Sequence, residues 1–294
     1  MDAECFGVSN RIVGLSMAVR VRCITDPACV WSWASEPGVR ALMTEFGADL
    51  RWTFVMGGLA REMPAAGLAK PWMQAAAESG MPTDPRVWHE GQMRSTYPAC
   101  MAVIAAAEQA PDAGYKYLRA LREGITCFGH KLDSTEALAG VAREAGLDVE
   151  RFRIDLSSNA IVEAFGAQLE EARDVPPEAG AVADVTCSRP ADIERVVFPT
   201  FRFEGEGREA RWLFGHQSPE ALRAEAVAVG AQPLGEEGPG VAEALRRFGR
   251  MAVPEVAAVC DLAPLKAEAD LLALALEWRA RPLPVLAGRL WELA

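Results

Sequence analysis

Cys29 is the residue of this sequence best suited to nucleophilic chemistry. It stands in the segment Asp26-Pro-Ala-Cys29-Val-Trp31-Ser32, where a strand-like pattern ends and a helix-like pattern begins. At a helix N-terminus, the helix dipole and free backbone N–H groups stabilise a thiolate and lower a thiol pKa from about 8.5 to roughly 3.5–7.5. A nearby Asp26 opposes this effect, because a second negative charge disfavours the thiolate. The position predicts a nucleophilic, redox-active cysteine.

Ser32 limits what this thiol can do. A dithiol enzyme attacks a disulfide with one cysteine and resolves the mixed disulfide with a second, and serine cannot replace that second cysteine. A cycle at Cys29 therefore needs an external thiol, such as glutathione, or another cysteine of the chain. The remaining cysteines are scattered, at positions 5, 23, 100, 127, 187 and 260. They form no Cys-x-x-Cys pair, and the histidines are isolated, so neither a disulfide framework nor a zinc site is predicted.

Composition and charge exclude several classes of function. The chain has 294 residues, half of them hydrophobic, and a net charge of −11, which opposes non-specific binding to nucleic acid or anionic lipid. Its longest apolar runs, 99–107 and 271–278, fall far short of the roughly 20 residues that span a bilayer. The N-terminus lacks the pattern of an export signal. We expect a cytoplasmic protein whose partner is a protein or a small thiol or disulfide, with no nucleic acid, membrane, metal or bound cofactor.

The elements that position Cys29 follow the order of an α/β unit. Strand patterns lie at residues 17–25, 50–56, 196–203 and 210–214. Between the first two, apolar residues at three- and four-residue spacing predict a helix from Val30 to Gly47. The third pattern is interrupted by Pro199, which favours the first residue of a strand or a cis peptide bond over an ordinary central strand position.

The remaining pattern divides the chain into three units. The predicted boundaries are 16–60 and 182–231 for the α/β core, 61–181 for a helical insertion, and 236–294 for a small C-terminal helical unit. A glycine- and proline-rich linker, residues 232–240, precedes the last unit. The pattern of that unit is typical of a helix-turn-helix or winged helix. Its second helix carries Lys266 as the only basic residue before Arg279, so we expect it to pack on protein rather than on DNA.

Three short segments of the sequence occur in the same order as in a known family. They are residues 26–37 (DPACVWSWASEP), 56–59 (MGGL) and 198–201 (FPTF), with a further match over 117–147. This chain resembles the disulfide-oxidoreductase A (DsbA) family, in particular its cytosolic FrnE-like and 2-hydroxychromene-2-carboxylate isomerase-like branch. The resemblance implies a thioredoxin-like fold with a helical insertion. It departs from the redox-active members at Ser32, where they carry a second cysteine.

The resemblance also implies roles for individual residues. Cys29 would be the nucleophile, and Pro199 a cis-proline that faces it. Phe198 and Thr200 would present backbone groups to a bound peptide or thiol. His130, in the insertion, would lie near the substrate cleft as a proton shuttle, although an exposed loop histidine is the simpler interpretation. Independently of the family, Trp31 offers an aromatic wall for an apolar partner.

Several functions stay open for the turn that contains Cys29 and Ser32. The favoured one is a thiol–disulfide oxidoreductase or disulfide isomerase with a single nucleophilic cysteine, in which glutathione is the co-substrate. The principal alternative is a non-catalytic adaptor that holds a partner protein. A glutathione-dependent transferase or isomerase of the kappa or chromene type, with Ser32 activating the bound thiol, is a third. A fourth is that Ser32 replaces a cysteine in order to trap a complex.

Overall fold

Strand, helix and strand open the described chain, and a long run of helices separates them from the remaining strands. The computed structural model describes residues 18–63, 68–88, 93–181, 186–188 and 194–294. Its strands are β1 (Val19–Thr25), β2 (Leu50–Met56), β3 (Thr186–Ser188), β4 (Glu194–Val196), β5 (Thr200–Glu204), β6 (Arg211–Phe214), β7 (Ala280–Val285) and β8 (Gly288–Leu293). Its α-helices are α1 (Val30–Ala34), α2 (Glu36–Glu45), α3 (Ala69–Ser79), α4 (Tyr97–Ala107), α5 (Ala113–Phe128), α6 (Thr135–Glu144), α7 (Val149–Leu156), α8 (Asn159–Arg173), α9 (Pro219–Ala228), α10 (Val241–Phe248), α11 (Val253–Val259) and α12 (Pro264–Leu276).

A four-stranded sheet of order β2-β1-β5-β6 forms the centre of the α/β core. Strand β1 pairs in parallel with β2 and antiparallel with β5, and β6 pairs antiparallel with β5. The alternating residues Val19, Val21 and Cys23 of β1 are buried in one cluster with apolar side chains of α2 and α9. The period-two pattern that predicted this strand thus builds one layer of the core.

The helix predicted from Val30 to Gly47 is broken at Ser35 into α1 and α2. Pro37 explains the break, because a proline inside a helix lacks a donor and its ring clashes with the preceding turn, whereas the first turn tolerates it. The chain therefore ends α1 after five residues and starts α2 with Pro37 in its first turn. The short α1 carries the turn with Cys29 at its N-terminus.

The helical insertion contains α3 to α8. Ser134, Asp148 and Ser158 cap α6, α7 and α8, each accepting a hydrogen bond from a backbone N–H of the first turn, as residues of these types favour. Among its buried aromatics, the rings of Tyr117 and Phe152 lie 5.3 Å apart. Within the described parts of the chain, no helix is both long enough and apolar enough to cross a bilayer.

The C-terminal unit consists of α10, α11 and α12 followed by an antiparallel hairpin, β7–β8. Met251 forms an isolated antiparallel bridge with Trp291 of β8, so the order of elements is that of a winged helix. The unit predicted to be helical therefore also contains two strands, from Ala280 to Leu293. Helix α11 packs against α2 of the core, in keeping with the expectation that this unit packs on protein. The exact domain boundaries stay predictions.

A buried ionic cluster ties the three units together: Glu36 and Arg40 of α2, Arg119 and Arg122 of α5, and Glu255 of α11. Arg119 donates to both carboxylate oxygens of Glu255, at 2.9 and 3.1 Å, and Arg40 lies 3.0 Å from the same group. Arg122 donates to Glu36. Burial by itself raises the pKa of Glu36, but the three arginines outweigh it and hold that pKa below its usual value. Each charge of the cluster therefore has a partner, as a buried charge requires.

Candidate functional site

Cys29 occupies the N-cap position of α1, with its side chain turned into the protein. Its Sγ donates to the backbone oxygen of Phe198 at 3.5 Å. The peptide bond that follows, Phe198–Pro199, is cis, so the predicted cis-proline does face the predicted nucleophile. The Cys29 side chain is only 5 % exposed, which leaves its sulfur little contact with solvent.

Burial raises the pKa of Cys29 above that of a free thiol. Hydrogen bonds to Ser32 and the charge of Arg122 favour the thiolate, but the charge of Asp26 opposes it, and the net pKa stays raised. The helix that was expected to activate the thiol is only five residues long, and a helix dipole that short contributes little. The pKa of Cys29 is therefore shifted upward, opposite to the direction that the sequence led us to expect.

Ser32 belongs to a buried chain of hydrogen-bond donors that ends beside the thiol. Arg122 Nη2 donates to Thr25 Oγ1 at 2.5 Å, and that hydroxyl donates to Ser32 Oγ at 2.7 Å. The proton of the Ser32 hydroxyl is then free to point at Cys29. Sequence patterns could not reveal this chain, because Arg122 lies 97 positions after Thr25 and in a different unit.

Asp26 is fully buried and accepts hydrogen bonds from four donors. Its Oδ1 accepts from the backbone N–H two residues later at 2.8 Å. Its Oδ2 accepts from the Leu59 N–H at 2.6 Å, the Thr96 hydroxyl at 2.8 Å and the Cys100 thiol at 3.2 Å. Burial and the charge of Asp26 raise the pKa of Cys100 well above its usual value. The aspartate predicted only as a nearby charge thus also holds the turn against the insertion.

The residues predicted to contact a substrate are largely enclosed. Phe198 and Thr200 are buried, and the guanidinium of Arg195 lies 4.0 Å from the centre of the Phe198 ring. Pro199 accepts a hydrogen bond on its carbonyl oxygen from Gly215 N–H at 2.8 Å. The carbonyl oxygens of Phe198 and Pro199 are thus already paired within the protein. Trp31 is half-buried beside them. The substrate-binding roles of these residues stay predictions.

Of the two histidines that the structure describes, His216 contacts the turn and its helix, whereas His130 lies in a loop. His130 is exposed in the loop after α5, with its ring 6.0 Å from that of Phe128. The ring of His216 lies 6.1 Å from that of Trp31, and its Nδ1 is 2.9 Å from Ser35 Oγ. Burial lowers the pKa of His216, so it is neutral at pH 7. His216 lies just after the end of β6. Its position near the turn follows from the order of the strands in the sheet, which local sequence patterns do not encode.

Other cysteines of the described chain are poor resolving thiols. The described cysteine side chains are free and buried: Cys23, Cys29, Cys100, Cys127 and Cys260. Burial raises the pKa of Cys23 and of Cys127 to about 12, and that of Cys260 to about 11. Cys5 and the side chain of Cys187 lie outside the described residues. Among the described residues, no group of three or more histidine, cysteine, aspartate or glutamate side chains is arranged to hold a metal ion.

Two solved structures share the fold of the core and insertion. A protein disulfide isomerase-like protein from Nitrosomonas europaea is 19% identical, with a TM-score of 0.59 over 72% of this chain and 97% of its own. The cytosolic disulfide reductase DsbM from Pseudomonas aeruginosa is 20% identical, with a TM-score of 0.52 over 70% of this chain and 95% of its own. At these identities the likeness concerns the fold alone, and it confirms the DsbA-like thioredoxin architecture.

Two curated relatives match over much more of the chain. The ClpXP adapter protein SpxH of Halalkalibacterium halodurans is 28% identical over 91% of this chain and 86% of its own length. The protein of the same name from Bacillus subtilis is 25% identical over 99% of this chain and 92% of its own length. A family model described as Thioredoxin matches residues 23–176, more than half of the chain. This match includes the Cys29 turn and most of the insertion. The chain therefore belongs to the thioredoxin family.

Proposed function

We propose that this protein is a non-catalytic adaptor for ClpXP that uses a DsbA-like thioredoxin fold as a scaffold for binding other proteins. The observation that carries this proposal is the extent of the two kinds of match. The match to the disulfide isomerase-like protein spans 97% of that protein but only 72% of this chain. The adaptor relatives cover 91% and 99% of it. At least about a fifth of the chain thus has a counterpart in both adaptors that the smaller fold lacks.

The state of the candidate nucleophile supports the same function. Cys29 is enclosed, its pKa is raised by burial, and Asp26 adds a charge that disfavours the thiolate. Thiolate is the nucleophilic form, so a buried thiol of raised pKa is inert. Ser32 cannot resolve a mixed disulfide, and the nearby thiol of Cys23 is buried in the core with a pKa of about 12. These features favour a structural role for the turn.

Helix α12 offers an apolar surface suited to a protein partner. Leu265, Leu272 and Leu276 lie on one side of the helix, at spacings of seven and four residues. Leu265 and Leu276 are each 83% exposed, and Trp278, just after the helix, is 88% exposed. Exposed apolar groups this large and this close together mark sites of protein interaction. In a DNA-binding winged helix the corresponding helix is basic, so the apolar face supports a protein partner.

Binding to purified ClpXP, measured by biolayer interferometry, tests the proposal. The wild-type chain should bind, and Cys29→Ala should bind with unchanged affinity because ClpXP would contact the α12 surface and not the thiol. The combined variant Leu265→Ser, Leu276→Ser and Trp278→Ser should bind at least about tenfold more weakly, the size of effect typical of buried interface residues. Absence of binding by the wild-type chain would refute the adaptor function.

A matched variant controls for general loss of exposed apolar surface. Met73, Ile154 and Val162 are large apolar residues of the insertion that are 62%, 69% and 54% exposed. Their combined replacement by serine should leave ClpXP binding within about twofold, since they lie outside the α12 surface. Equal losses in both triple variants would contradict a specific role for α12. Circular dichroism would confirm that each variant is folded.

Single-thiol exchange with glutathione is a second candidate, favoured by the contact between Cys29 Sγ and the carbonyl that precedes the cis-proline. In this reaction the Cys29 thiolate attacks one sulfur of oxidised glutathione, forms a mixed disulfide and releases one glutathione thiolate. DsbM has also been solved with GSH. Mass spectrometry after incubation with oxidised glutathione separates the candidates. An adduct at Cys29 in the native protein supports exchange, and an adduct that forms only in urea supports a structural cysteine.

A further inference from the structure

A groove of about 1200 Å³ lies where the three units meet. Its walls come from α2 and α9 of the core, the end of α3 in the insertion, the linker, and α11 of the C-terminal unit. Its floor includes the small, partly exposed side chains of Ala41, Pro254 and Ala258. Side chains of this size let another polypeptide backbone lie close to the surface.

The linker is held in place on both sides of the groove. On the core side, Leu234 N–H donates to the Glu45 carbonyl at 2.8 Å, and Gln232 N–H donates to Asp49 Oδ2 at 2.6 Å. On the other side Gly238 lies so close to Cys260 that an added Cβ would meet its backbone at 2.8 Å. The groove is therefore preformed, which reduces the entropy lost when a ligand binds.

Carboxylates dominate the charge around the groove. The acidic residues that line it are Glu45, Glu78, Glu220, Glu236, Glu237 and Asp261, and the basic ones are Arg223 and Arg247. Both arginines are already engaged: Arg223 pairs with Glu45 at 2.7 Å, and Arg247 donates to the Met43 carbonyl at 3.1 Å. Within the described residues, the ion pairs leave the other five carboxylates without a cationic partner. The groove therefore has a negative potential that its own residues do not neutralise.

We propose that this groove binds an extended, lysine- and arginine-rich segment of a partner protein. The cationic heads would pair with the free carboxylates, and the methylene stems would lie on the small apolar floor. The net charge of −11 would draw a basic segment toward the protein before contact. This inference goes beyond the adaptor function and does not depend on ClpXP, because the groove and the α12 surface are formed by different residues.

Fluorescence anisotropy with a short fluorescein-labelled peptide of alternating lysine and alanine tests the proposal. The peptide should bind, and the same peptide with glutamine in place of lysine should not. Raising the ionic strength from about 0.01 M to about 1 M, which shortens the Debye length from roughly 30 Å to roughly 3 Å, should abolish binding. The triple variant Glu78→Lys, Glu236→Lys and Glu237→Lys should weaken binding by about tenfold or more, since three favourable pairings become repulsions.

A second triple variant separates the groove from the general acidity of the protein. Glu144, Glu163 and Glu206 are exposed carboxylates outside the groove, and replacing them with lysine changes the net charge by the same amount. This control should keep peptide affinity within about twofold of wild type. Equal weakening in both variants, or no peptide binding at low salt, would overturn the proposal. So would self-association of the wild-type chain that only the groove variant abolishes, because a second copy would then be the occupant.

Discussion

Replacing Glu255 with glutamine should lower the free energy of unfolding by roughly 3–5 kcal/mol, the cost of removing one member of a buried ion pair. The carboxylate is fully buried, and it accepts from Arg119 at 2.9 and 3.1 Å and from the Ala252 N–H at 2.7 Å. Arg40 lies 3.0 Å away. Glutamine has nearly the same side-chain volume as glutamate but carries no charge. The buried guanidinium groups of Arg40 and Arg119 would therefore lose one negatively charged partner. We therefore expect a large loss of stability even though the substitution leaves no cavity.

Urea unfolding at 25 °C, followed by circular dichroism, measures the change. Glu243→Gln is the matched control, because Glu243 forms an exposed pair with Arg246 in the same unit, and exposed pairs contribute only about 0–1 kcal/mol. A loss for Glu255→Gln no larger than for the control would refute the reasoning. It would mean that Arg40 and Arg119 are neutralised without Glu255, and that the cluster does not hold the C-terminal unit on the core.

Two further predictions concern the charges around Cys29 and Glu36. Asp26→Asn should lower the pKa of Cys29 by removing a charge that disfavours the thiolate, whereas Ser32→Ala should raise it by removing a hydrogen bond that favours the thiolate. Iodoacetamide alkylation rates as a function of pH measure both shifts, and identical profiles in all three proteins would show that burial alone sets this pKa. The pKa of Glu36 is held below its usual value of about 4.5, so its stabilisation is full above that pH and is lost as the pH falls through the lower folded-state pKa. Urea midpoints at successively lower pH should therefore fall more steeply for wild type than for Glu36→Gln, and parallel curves would contradict this linkage.

Local signals in the sequence were enough to predict the elements that carry the turn. Alternation in the first strand, the placement of Cys29 before a helix, and Pro199 inside a strand-like pattern each depend on a few neighbouring residues. The structure has β1, α1 and a cis Phe198–Pro199 bond at those places. The break at Ser35 was missed because the apolar spacing continues across it, although Pro37 was a visible signal.

The environment of the turn could not be predicted, because it is made by contacts between distant parts of the chain. Thr96 and Cys100 reach Asp26 from 70 and 74 positions away, and the Phe198 carbonyl that accepts from Cys29 lies 169 positions after it. No local periodicity records such contacts. They decide the chemistry nonetheless, because burial and the charge of Asp26 raise the pKa of Cys29, against the helix effect from which a reactive thiolate was expected.

Cys29 and Asp26 connect separate parts of the fold through their hydrogen bonds. Cys29 donates to the carbonyl before Pro199, which ties α1 to the start of β5. Asp26 ties the turn to the insertion through Thr96 and Cys100. An enzyme of this fold has to admit a disulfide to its sulfur, whereas an adaptor gains from a closed turn that fixes the relative positions of its units. Since the groove is walled by all three units, its shape depends on these ties. On the proposed function, opening the turn would therefore impair partner binding in the groove even though no partner touches Cys29.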